Sequence, residues 1–488
     1  MTNKLEYLSA LEIGNLVNNK KITASEVIEY FINRIERINP SINAFTYTKF
    51  DEARLVAKKI DDRINKGEYI GPFAGVPFAL KDFLPNKVGW TSSYGGVPSI
   101  ISVDEENSIF CQAMEKAGGI AIGKTNAPSF GFKGTTDNKL YGPTKNPFNL
   151  KYNAGGSSGG SAAAVSSGLV PIAEGGDAGG SIRIPASWTN CYGFKASVGT
   201  IPSVTRPDAY SASHPYCFNG AITKTVLDSA ALLNYMAKYD PKDPLSTKRV
   251  IDDYTKELNR PIKGLKIALT YDFDLFPVDE EIKETIKSIA DKLRRLGVQV
   301  DLINFAFHYS KDEFTKMWLE SICIDTALEG INKVFLYDIV NDPNNELPKE
   351  FIYWNKKVSK WDINNYYQYN LMKTDIYDAF QNVFDSYDII ISPVTSCLPV
   401  LNKKNGNTKG PKTINNIKME QLIGFSQTFL INFIGNSAAA VPAGLSKKGL
   451  PIGVQVIGKI HDDLLVLNVS KVLEDINPWM SYYLKSIK

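Results

Sequence analysis

The chain has 488 residues, with 55 Lys or Arg against 52 Asp or Glu, so its formal net charge is only +3. This balance leaves no basic surface of the kind that nucleic-acid binding needs, and we expect no nucleic-acid partner. Hydrophobic residues make up 43% of the chain, which is ample for a large core, and 488 residues can form two or three domains or one large α/β unit.

The cysteines and the N-terminal segment both bear on the cellular compartment. The five cysteines are scattered, with no C-x-x-C pair, which argues against a disulfide framework and against a zinc site. The opening residues, MTNKLEYLSALEIGN, are too polar for a signal peptide. No uninterrupted apolar run approaches the length of about 18 residues that a membrane span requires. We therefore expect a cytoplasmic protein that binds no metal ion and no membrane.

The first part of the chain predicts helices, and the next part alternates strands with helices. Thr23 and Glu26 satisfy the Ser/Thr-x-x-Glu pattern that begins a helix, and apolar residues follow at helical spacing. Between residues 71 and 235 the predicted strands are Val76–Leu80, Gly119–Gly123 and Leu169–Ala173. A helix from about Ser108 to Lys116 is predicted before the second of these strands.

Residues 261–303 predict a βαβ unit. Leu265–Leu269 is the first strand, and it leads to a helix whose apolar stripe runs from Ile282 to Leu296. Val298–Ile303 is the second strand, which we expect to lie parallel to the first. The stripe is explained by core packing.

The last third of the chain predicts a helical segment followed by a return to strands. Residues 304–384 are rich in Tyr, Trp, Asn and Lys, with predicted helices at Lys311–Thr326 and Asn364–Phe384. Such a segment could cover an active site and select the substrate. The strands predicted after it are Asp388–Ser392, Ala438–Val441 and Gly453–Ile457.

The stretch from Gly155 to Ala186, GGSSGGSAAAVSSGLVPIAEGGDAGGSIRIPA, carries most of the functional signal. Three interpretations compete for it: a tight structural corner, a phosphate-binding loop, and a site of acyl transfer. The phosphate-binding motifs that follow a strand are not met, which weakens the second. In the third, a serine is the nucleophile and converging backbone N–H groups stabilise an oxyanion. Asp177-Ala178-Gly179-Gly180-Ser181 suits that chemistry well.

A nucleophilic serine needs a base. The three histidines, His214, His308 and His461, lie in no recognisable motif, although a Ser-His-Asp arrangement assembled from distant positions stays open. A buried lysine can also be the base if its pKa falls toward neutrality. Lys81 ends an apolar strand, and both Lys81 and the loop around Ser181 follow strand carboxyl ends, where open α/β sheets place their sites.

These residues resemble those of the amidase signature family of serine hydrolases. The resemblance rests on GGSSGGSAAA and GGSIRIPA, on the separation of Ser157 from Ser181, and on the upstream Val-Pro-x-x-x-Lys-Asp that ends at Asp82. It spans nearly the whole chain and is strongest at about 71–235 and 387–475. It implies one α/β domain over residues 1–488, with a mixed sheet flanked by helices on both faces and no cofactor.

The resemblance also implies roles for individual residues. Ser181 is the nucleophile, Ser157 lies on a cis peptide bond and bridges Ser181 to Lys81, and Lys81 is the base. The oxyanion hole is formed by the N–H groups of Ala178, Gly179, Gly180 and Ser181. The supporting residues are Asp177 and Arg183, which pair, and Ser158, which hydrogen-bonds Lys81. Cys323 resembles a pocket cysteine in the branch that hydrolyses cyclic nylon oligomers, but a buried small apolar residue is the favoured interpretation.

The sequence therefore predicts an amidase that cleaves small-molecule carboxamides through an acyl-enzyme, as a monomer or homodimer. One alternative is a hydrolase of the 6-aminohexanoate cyclic dimer. A second is a non-catalytic or partner-dependent protein that resembles the amidase component of the tRNA amidotransferases. Thr200 stands where that component has arginine, which makes the second alternative weaker. A nucleotide-binding module is a third.

Overall fold

A mixed β-sheet of eleven strands forms the centre of the protein in the computed structural model, which describes residues 4–213, 215–248, 250–327 and 337–485. In chain order the strands are β1 (Phe45–Thr48), β2 (Pro77–Lys81), β3 (Ile120–Thr125), β4 (Ile172–Asp177), β5 (Tyr192–Lys195), β6 (Phe218–Thr223), β7 (Lys266–Leu269), β8 (Gln299–Leu302), β9 (Ile389–Pro393), β10 (Ala438–Leu445) and β11 (Pro451–Gly458). Across the sheet their order is β1-β3-β2-β4-β6-β5-β10-β11-β9-β7-β8.

The strands that position the site are neighbours in this order. β2 pairs in parallel with β3 on one side and with β4 on the other, and β4 pairs antiparallel with β6. The carboxyl ends of parallel strands meet at one edge of a sheet. Lys81, at the end of β2, and Asp177, at the end of β4, are therefore brought to the same edge.

Helices cover both faces of the sheet. They are α1 (Ala10–Asn18), α2 (Ala24–Ile42), α3 (Phe50–Asn65), α4 (Ile109–Lys116), α5 (Gly159–Ser166), α6 (Arg183–Trp188), α7 (Val226–Met236), α8 (Glu280–Arg295), α9 (Lys311–Ser321), α10 (Ile324–Ala327), α11 (Lys349–Val358), α12 (Ile363–Phe384), α13 (Phe429–Ile434) and α14 (Asp463–Ile476). Every residue of β2, β9 and β11 is buried, as expected for strands that are covered on two sides. The architecture is one large α/β domain, as the sequence predicts.

Several predicted elements are confirmed in detail. The Thr23 side chain accepts a hydrogen bond from the Glu26 N–H and the Glu26 carboxylate accepts one from the Thr23 N–H, so the capping box begins α2. The βαβ unit is present as β7, α8 and β8, and its two strands are parallel. The apolar stripe of α8 is buried from Ile282 to Leu293, which confirms its packing role there, but Leu296 follows the helix and is exposed.

Two predicted elements are placed wrongly. The strand expected at Leu169–Ala173 is β4, which begins only at Ile172 and continues to Asp177 in full register with β6. Gly175 thus lies inside a strand and not in a loop; a Cβ there would come within 2.7 Å of the Ile182 side chain. The helix expected at Lys311–Thr326 breaks into α9 and α10, because the Cys323 N–H bonds to the carbonyl three residues earlier.

The helical segment 304–384 packs beside the sheet edge that carries the site. Its helices α9 to α12 share an aromatic core with Ile184 and Trp188 of α6 and with α13. Residues 328–336 of this segment lie outside the described residues. No helix that the structure describes combines the length and the apolar composition needed to cross a membrane.

Candidate active site

Lys81 lies at the buried end of β2 with only 4% of its surface exposed. Its Nζ donates a hydrogen bond to Ser157 Oγ at 2.7 Å. Burial lowers the pKa of Lys81 to about 8, although the negative charges of Glu174 and Asp177 and the Cys217 thiol oppose that shift by favouring the ammonium form. A lysine with this pKa is partly neutral near physiological pH, which is what a general base requires.

Ser157 follows a cis peptide bond, Gly156–Ser157, as the resemblance implies. Gly156 has no room for a side chain, because a Cβ there would lie 2.6 Å from the Thr135 backbone. The Ser157 carbonyl accepts a hydrogen bond from Thr136 Oγ1 at 3.2 Å. Close packing of residues 135–136 therefore fixes the turn that presents the Ser157 hydroxyl to Lys81.

Ser158 joins the two glycine-rich segments. Its N–H donates to the Ser181 carbonyl at 3.1 Å. Its hydroxyl bonds to the Gly176 N–H and C=O, both at 3.3 Å. The expected hydrogen bond from Ser158 to Lys81 is absent among the described residues, because the Gly176 backbone of β4 takes the hydroxyl instead. Ser158 thus supports the site through the adjoining strand.

The loop 178–182 is built around the Asp177 carboxylate. Asp177 forms a buried ion pair with Arg183 at 2.8 Å, as predicted, and also accepts the N–H groups of Gly180 at 2.7 Å and Ile182 at 3.2 Å. Burial alone would raise the pKa of Asp177, but the Arg183 guanidinium and a hydrogen bond from the Asn432 side chain hold it well below its usual range. Arg183 also donates to Gln455 Oε1 at 2.6 Å, which ties the loop to β11.

The Gly180 N–H is engaged by Asp177, and this differs from the role expected for it in an oxyanion hole. Among the described residues, the N–H groups of Ala178, Gly179 and Ser181 donate to no protein group. These three are free to receive a ligand oxygen. The fourth N–H group, that of Gly180, already donates to the Asp177 carboxylate.

Ser181 lies at the base of this loop and is 5% exposed. Within the ranges that the structure describes, no hydrogen bond joins the Ser181 and Ser157 hydroxyls. The structure thus shows the hydrogen bond between Lys81 and Ser157. A hydrogen bond between Ser157 and Ser181 stays a prediction. The two serines are held near each other by the backbone bond from Ser158 to the Ser181 carbonyl.

A cavity of about 770 Å³ reaches Lys81 from the side of Glu174. Glu174 is buried on β4, which raises its pKa, and its carboxylate accepts three hydrogen bonds. The donors are the Lys81 N–H at 3.0 Å, Asn86 Nδ2 at 3.0 Å and Ser108 Oγ at 2.7 Å. No local pattern in the sequence singles out Glu174. Its contact with Lys81 exists because β4, which carries Glu174, lies beside β2.

The histidines do not supply a base in the described structure. His308 is exposed and pairs with Asp375 at 2.5 Å, and the His461 N–H donates to Ser197. Neither bonds to Ser157 or Ser181. His214 lies outside the described residues. No group of three or more His, Cys, Asp or Glu side chains in the described ranges is placed to hold a metal ion.

Cys323 is fully buried in the aromatic core of segment 304–384. Its Sγ accepts a hydrogen bond from Asn355 Nδ2 at 3.5 Å, and burial raises the pKa of the thiol. The contacts of Cys323 are those of a packing residue. A role for it in binding substrate stays a prediction.

Comparison with known proteins decides the family. The family model described as Amidase matches residues 26–467. The chain belongs to the amidase signature family. This amidase is 30% identical, over 97% of its own length and 96% of the other chain, to an acylamidase of Rhodococcus erythropolis.

Solved structures agree with this assignment. A bacterial aryl acylamidase of the amidase signature family superposes with a TM-score of 0.94, at 39% identity and with 98% of both chains covered. A 6-aminohexanoate cyclic dimer hydrolase bound to its substrate superposes with a TM-score of 0.84, at 26% identity and with 98% of both chains covered. The protein is thus an amide hydrolase of this family, and the prediction made from the sequence is confirmed.

Proposed function

We propose that this amidase hydrolyses the carboxamides of small aromatic and aliphatic amines. The reaction proceeds through an acyl-enzyme on Ser181, with Ser157 and Lys81 as the proton relay. The observation that carries the proposal is the 2.7 Å hydrogen bond from the buried Lys81 to Ser157, beside a loop with free N–H groups. The substrate class is supported by the likeness to an aryl acylamidase at 39% identity over 98% of both chains.

The proposed reaction has two halves. Neutral Lys81 accepts a proton from Ser157 Oγ while Ser157 takes the proton of Ser181, and Ser181 Oγ attacks the amide carbon. The N–H groups of Ala178, Gly179 and Ser181 bind the resulting oxyanion. The proton returns through Ser157 to the amine nitrogen, the C–N bond breaks and the amine leaves. Water, deprotonated by the same relay, then cleaves the Ser181 ester to release a carboxylic acid.

The other predicted activities have less support. The cyclic dimer hydrolase is 26% identical, and the packing of Cys323 gives no specific reason to favour a cyclic substrate. A role as a partner-dependent component of an amidotransferase is disfavoured by Thr200, as the sequence already indicated. We propose an enzyme that acts without a nucleic-acid partner, as a monomer or homodimer in the cytoplasm, where the five thiols remain free.

The proposal is tested by intact mass after incubation with a serine-directed fluorophosphonate. We expect one adduct on the parent protein and none on Ser181→Ala, because only a serine with a base nearby reacts quickly. Ser187→Ala is the matched control, since Ser187 is also buried and lies on α6, and it should label like the parent. An adduct that persists in Ser181→Ala would contradict the assignment of the nucleophile.

Glu174→Gln should move the acidic limb of kcat/KM to lower pH. The negative charges that most favour the ammonium form of Lys81 are those of Glu174 and then Asp177, and the substitution removes the larger of the two. The pKa of Lys81 then falls below its parent value of about 8, so the neutral base is available at lower pH. The measurement is the pH profile of kcat/KM with an anilide substrate.

Asp228→Asn is the control for that experiment. Asp228 is also a buried carboxylate that accepts two backbone N–H groups, at 3.1 and 3.0 Å, but its charge acts on Lys224 and not on Lys81. Its profile should keep the parent limb. A limb that stays in place in folded Glu174→Gln, or moves to higher pH, would show that Lys81 does not set it.

A further inference from the structure

Three consecutive carbonyls where β4 passes into the loop 178–182, those of residues 177, 178 and 179, each accept a hydrogen bond from a distant side chain. The donors, in the same order, are Asn432 Nδ2 at 2.9 Å, Trp318 Nε1 at 2.8 Å and Thr428 Oγ1 at 2.6 Å. None of these donors belongs to the glycine-rich stretch. The loop is therefore held from outside by side chains of α9 and α13 and of the residue before α13.

Fixing a carbonyl also fixes the next N–H. A trans peptide unit is planar, and its C=O and N–H point in opposite directions. In the described part of the chain the cis bonds are Gly156–Ser157 and Arg206–Pro207, so the Ala178–Gly179 unit is trans. The bond from Trp318 to the Ala178 carbonyl thus turns the Gly179 N–H to the opposite side, away from α9.

The three external bonds do not have equal consequences. Thr428 holds the peptide unit whose N–H, that of Gly180, is already bonded to Asp177. Asn432 holds the Asp177 carbonyl but also bonds to the Asp177 carboxylate, so it is part of the buried ion-pair network. Among the described residues, Trp318 donates only to the Ala178 carbonyl, and the Gly179 N–H that it orients has no protein acceptor.

The indole ring adds a steric constraint. A Cβ at Gly179 would lie 2.6 Å from three atoms of the Trp318 ring, so the ring packs directly against the Gly179 backbone. Trp318 is itself 1% exposed within an aromatic core, so its ring cannot move away from Gly179 without displacing neighbouring side chains. The Ala178–Gly179 peptide unit is thus fixed in two ways: Trp318 Nε1 donates a hydrogen bond to the Ala178 carbonyl, and the Trp318 ring packs against the Gly179 backbone.

We propose that Trp318 is a positioning residue for the oxyanion hole, which aims the Gly179 N–H at the carbonyl oxygen of the scissile amide. The inference rests on the proposed function, because it assumes that the free N–H groups of this loop bind the oxyanion. It assigns part of the catalytic geometry to α9, which lies outside the ranges, about 71–235 and 387–475, where the resemblance to the family is strongest. Segment 304–384 would then contribute to the rate of acylation through Trp318.

The test is Trp318→Phe, which keeps an aromatic ring and removes the N–H donor. With 4-nitroacetanilide as substrate we expect kcat to fall about 10- to 100-fold and KM to change by less than about twofold, because loss of one oriented donor weakens transition-state binding selectively. Inhibition by a trifluoromethyl ketone analogue, whose adduct carries an oxyanion, should weaken by the same factor as kcat/KM. Binding of the product acid should change little.

Trp479→Phe is the matched control. Trp479 is completely buried and its Nε1 donates to the Lys224 carbonyl at 2.9 Å, so the variant loses the same type of bond far from the loop 178–182. Its thermal stability should fall about as much as that of Trp318→Phe, while kcat stays at the parent value. A purely structural role for Trp318 predicts equal kinetic effects in the two variants, and that result would overturn the proposal.

A sharper variant covers the case in which Trp318→Phe does not fold. Replacement of Trp318 by 3-benzothienylalanine keeps the ring shape and exchanges only the N–H for sulfur. If this variant has the parent kcat, or only a raised KM, the proposal is wrong and the proposed function stands. If Ser181→Ala also retains turnover, the proposed function itself has failed. Loss of kcat in this variant, with Ser181→Ala inactive, supports both.

Discussion

Ser181→Ala should lower kcat/KM for an aryl acylamide by about 10⁶-fold, the order of magnitude seen when an activated serine is removed from a serine hydrolase. The reason is chemical, because in the proposed mechanism the Ser181 hydroxyl forms the acyl-enzyme, and alanine has no nucleophilic atom to replace it. The measurement is steady-state turnover of 4-nitroacetanilide by the purified variant. The residual rate should come from binding and the oxyanion hole alone.

The fold should survive that substitution. Among the described residues the Ser181 hydroxyl makes no hydrogen bond, and the loop is fixed by Asp177 and by the three external donors to its carbonyls. We therefore expect the melting temperature to stay within about 2 °C of the parent, as is usual for a change that leaves no buried polar group unpaired. A folded Ser181→Ala protein with turnover within tenfold of the parent would exclude an acyl-enzyme on Ser181.

The sequence predicts the centre of the site because local patterns carry it. Lys81 is found at the end of an apolar strand, and Ser157 and Ser181 are found in two glycine-rich segments of one short stretch. The structure brings Lys81 and Ser157 into a hydrogen bond because β2 and β4 are parallel neighbours. That pairing could not be read from the sequence, because α4, β3 and α5 lie between β2 and β4 along the chain.

The supports of the loop could not be predicted in the same way. Trp318 lies 140 positions from the carbonyl that it holds, and Asn432 and Thr428 lie 255 and 249 positions from theirs. Each is an ordinary helix or loop residue without a local motif, and only the tertiary fold brings it to the loop. Gln455 differs, because it ends the run LPIGVQ in the sequence, and its bond to Arg183 gives that glutamine a role in the site.

The errors have physical causes of the same kind. Apolar content suggested a strand at Leu169–Ala173, but the backbone pairing of β4 with β6 decides the strand and extends it through Gly175 and Gly176. The Ser158 hydroxyl is expected to bond to Lys81, but it bonds to the N–H and C=O of Gly176 instead. In both cases a main-chain partner on a neighbouring strand competes with the local pattern, and one sequence does not reveal which partner prevails.

Lys81→Met is the second prediction with a large effect. At pH 7 we expect kcat/KM to fall by about 10³- to 10⁴-fold, the upper part of the range for loss of a general base. The parent should show an acidic limb near the Lys81 pKa of about 8 and then level off. The variant should instead rise steadily with pH, because hydroxide replaces the missing base. A variant that keeps the parent limb would show that another group titrates there.

Lys224→Met separates the loss of a base from the loss of a buried lysine. Burial also lowers the pKa of Lys224 to about 8, but its Nζ donates to backbone carbonyls, including that of Leu8 at 3.2 Å, and not to a serine of the site. Because each lysine has a pKa below its unfolded value, each makes a folding penalty that is fully present below about pH 8 and fades as the pH rises toward the unfolded pKa. Removing either lysine relieves that penalty at pH 7. Only Lys81→Met should also lose its acidic limb, so stability responds to both lysines while the pH profile of catalysis responds to Lys81 alone.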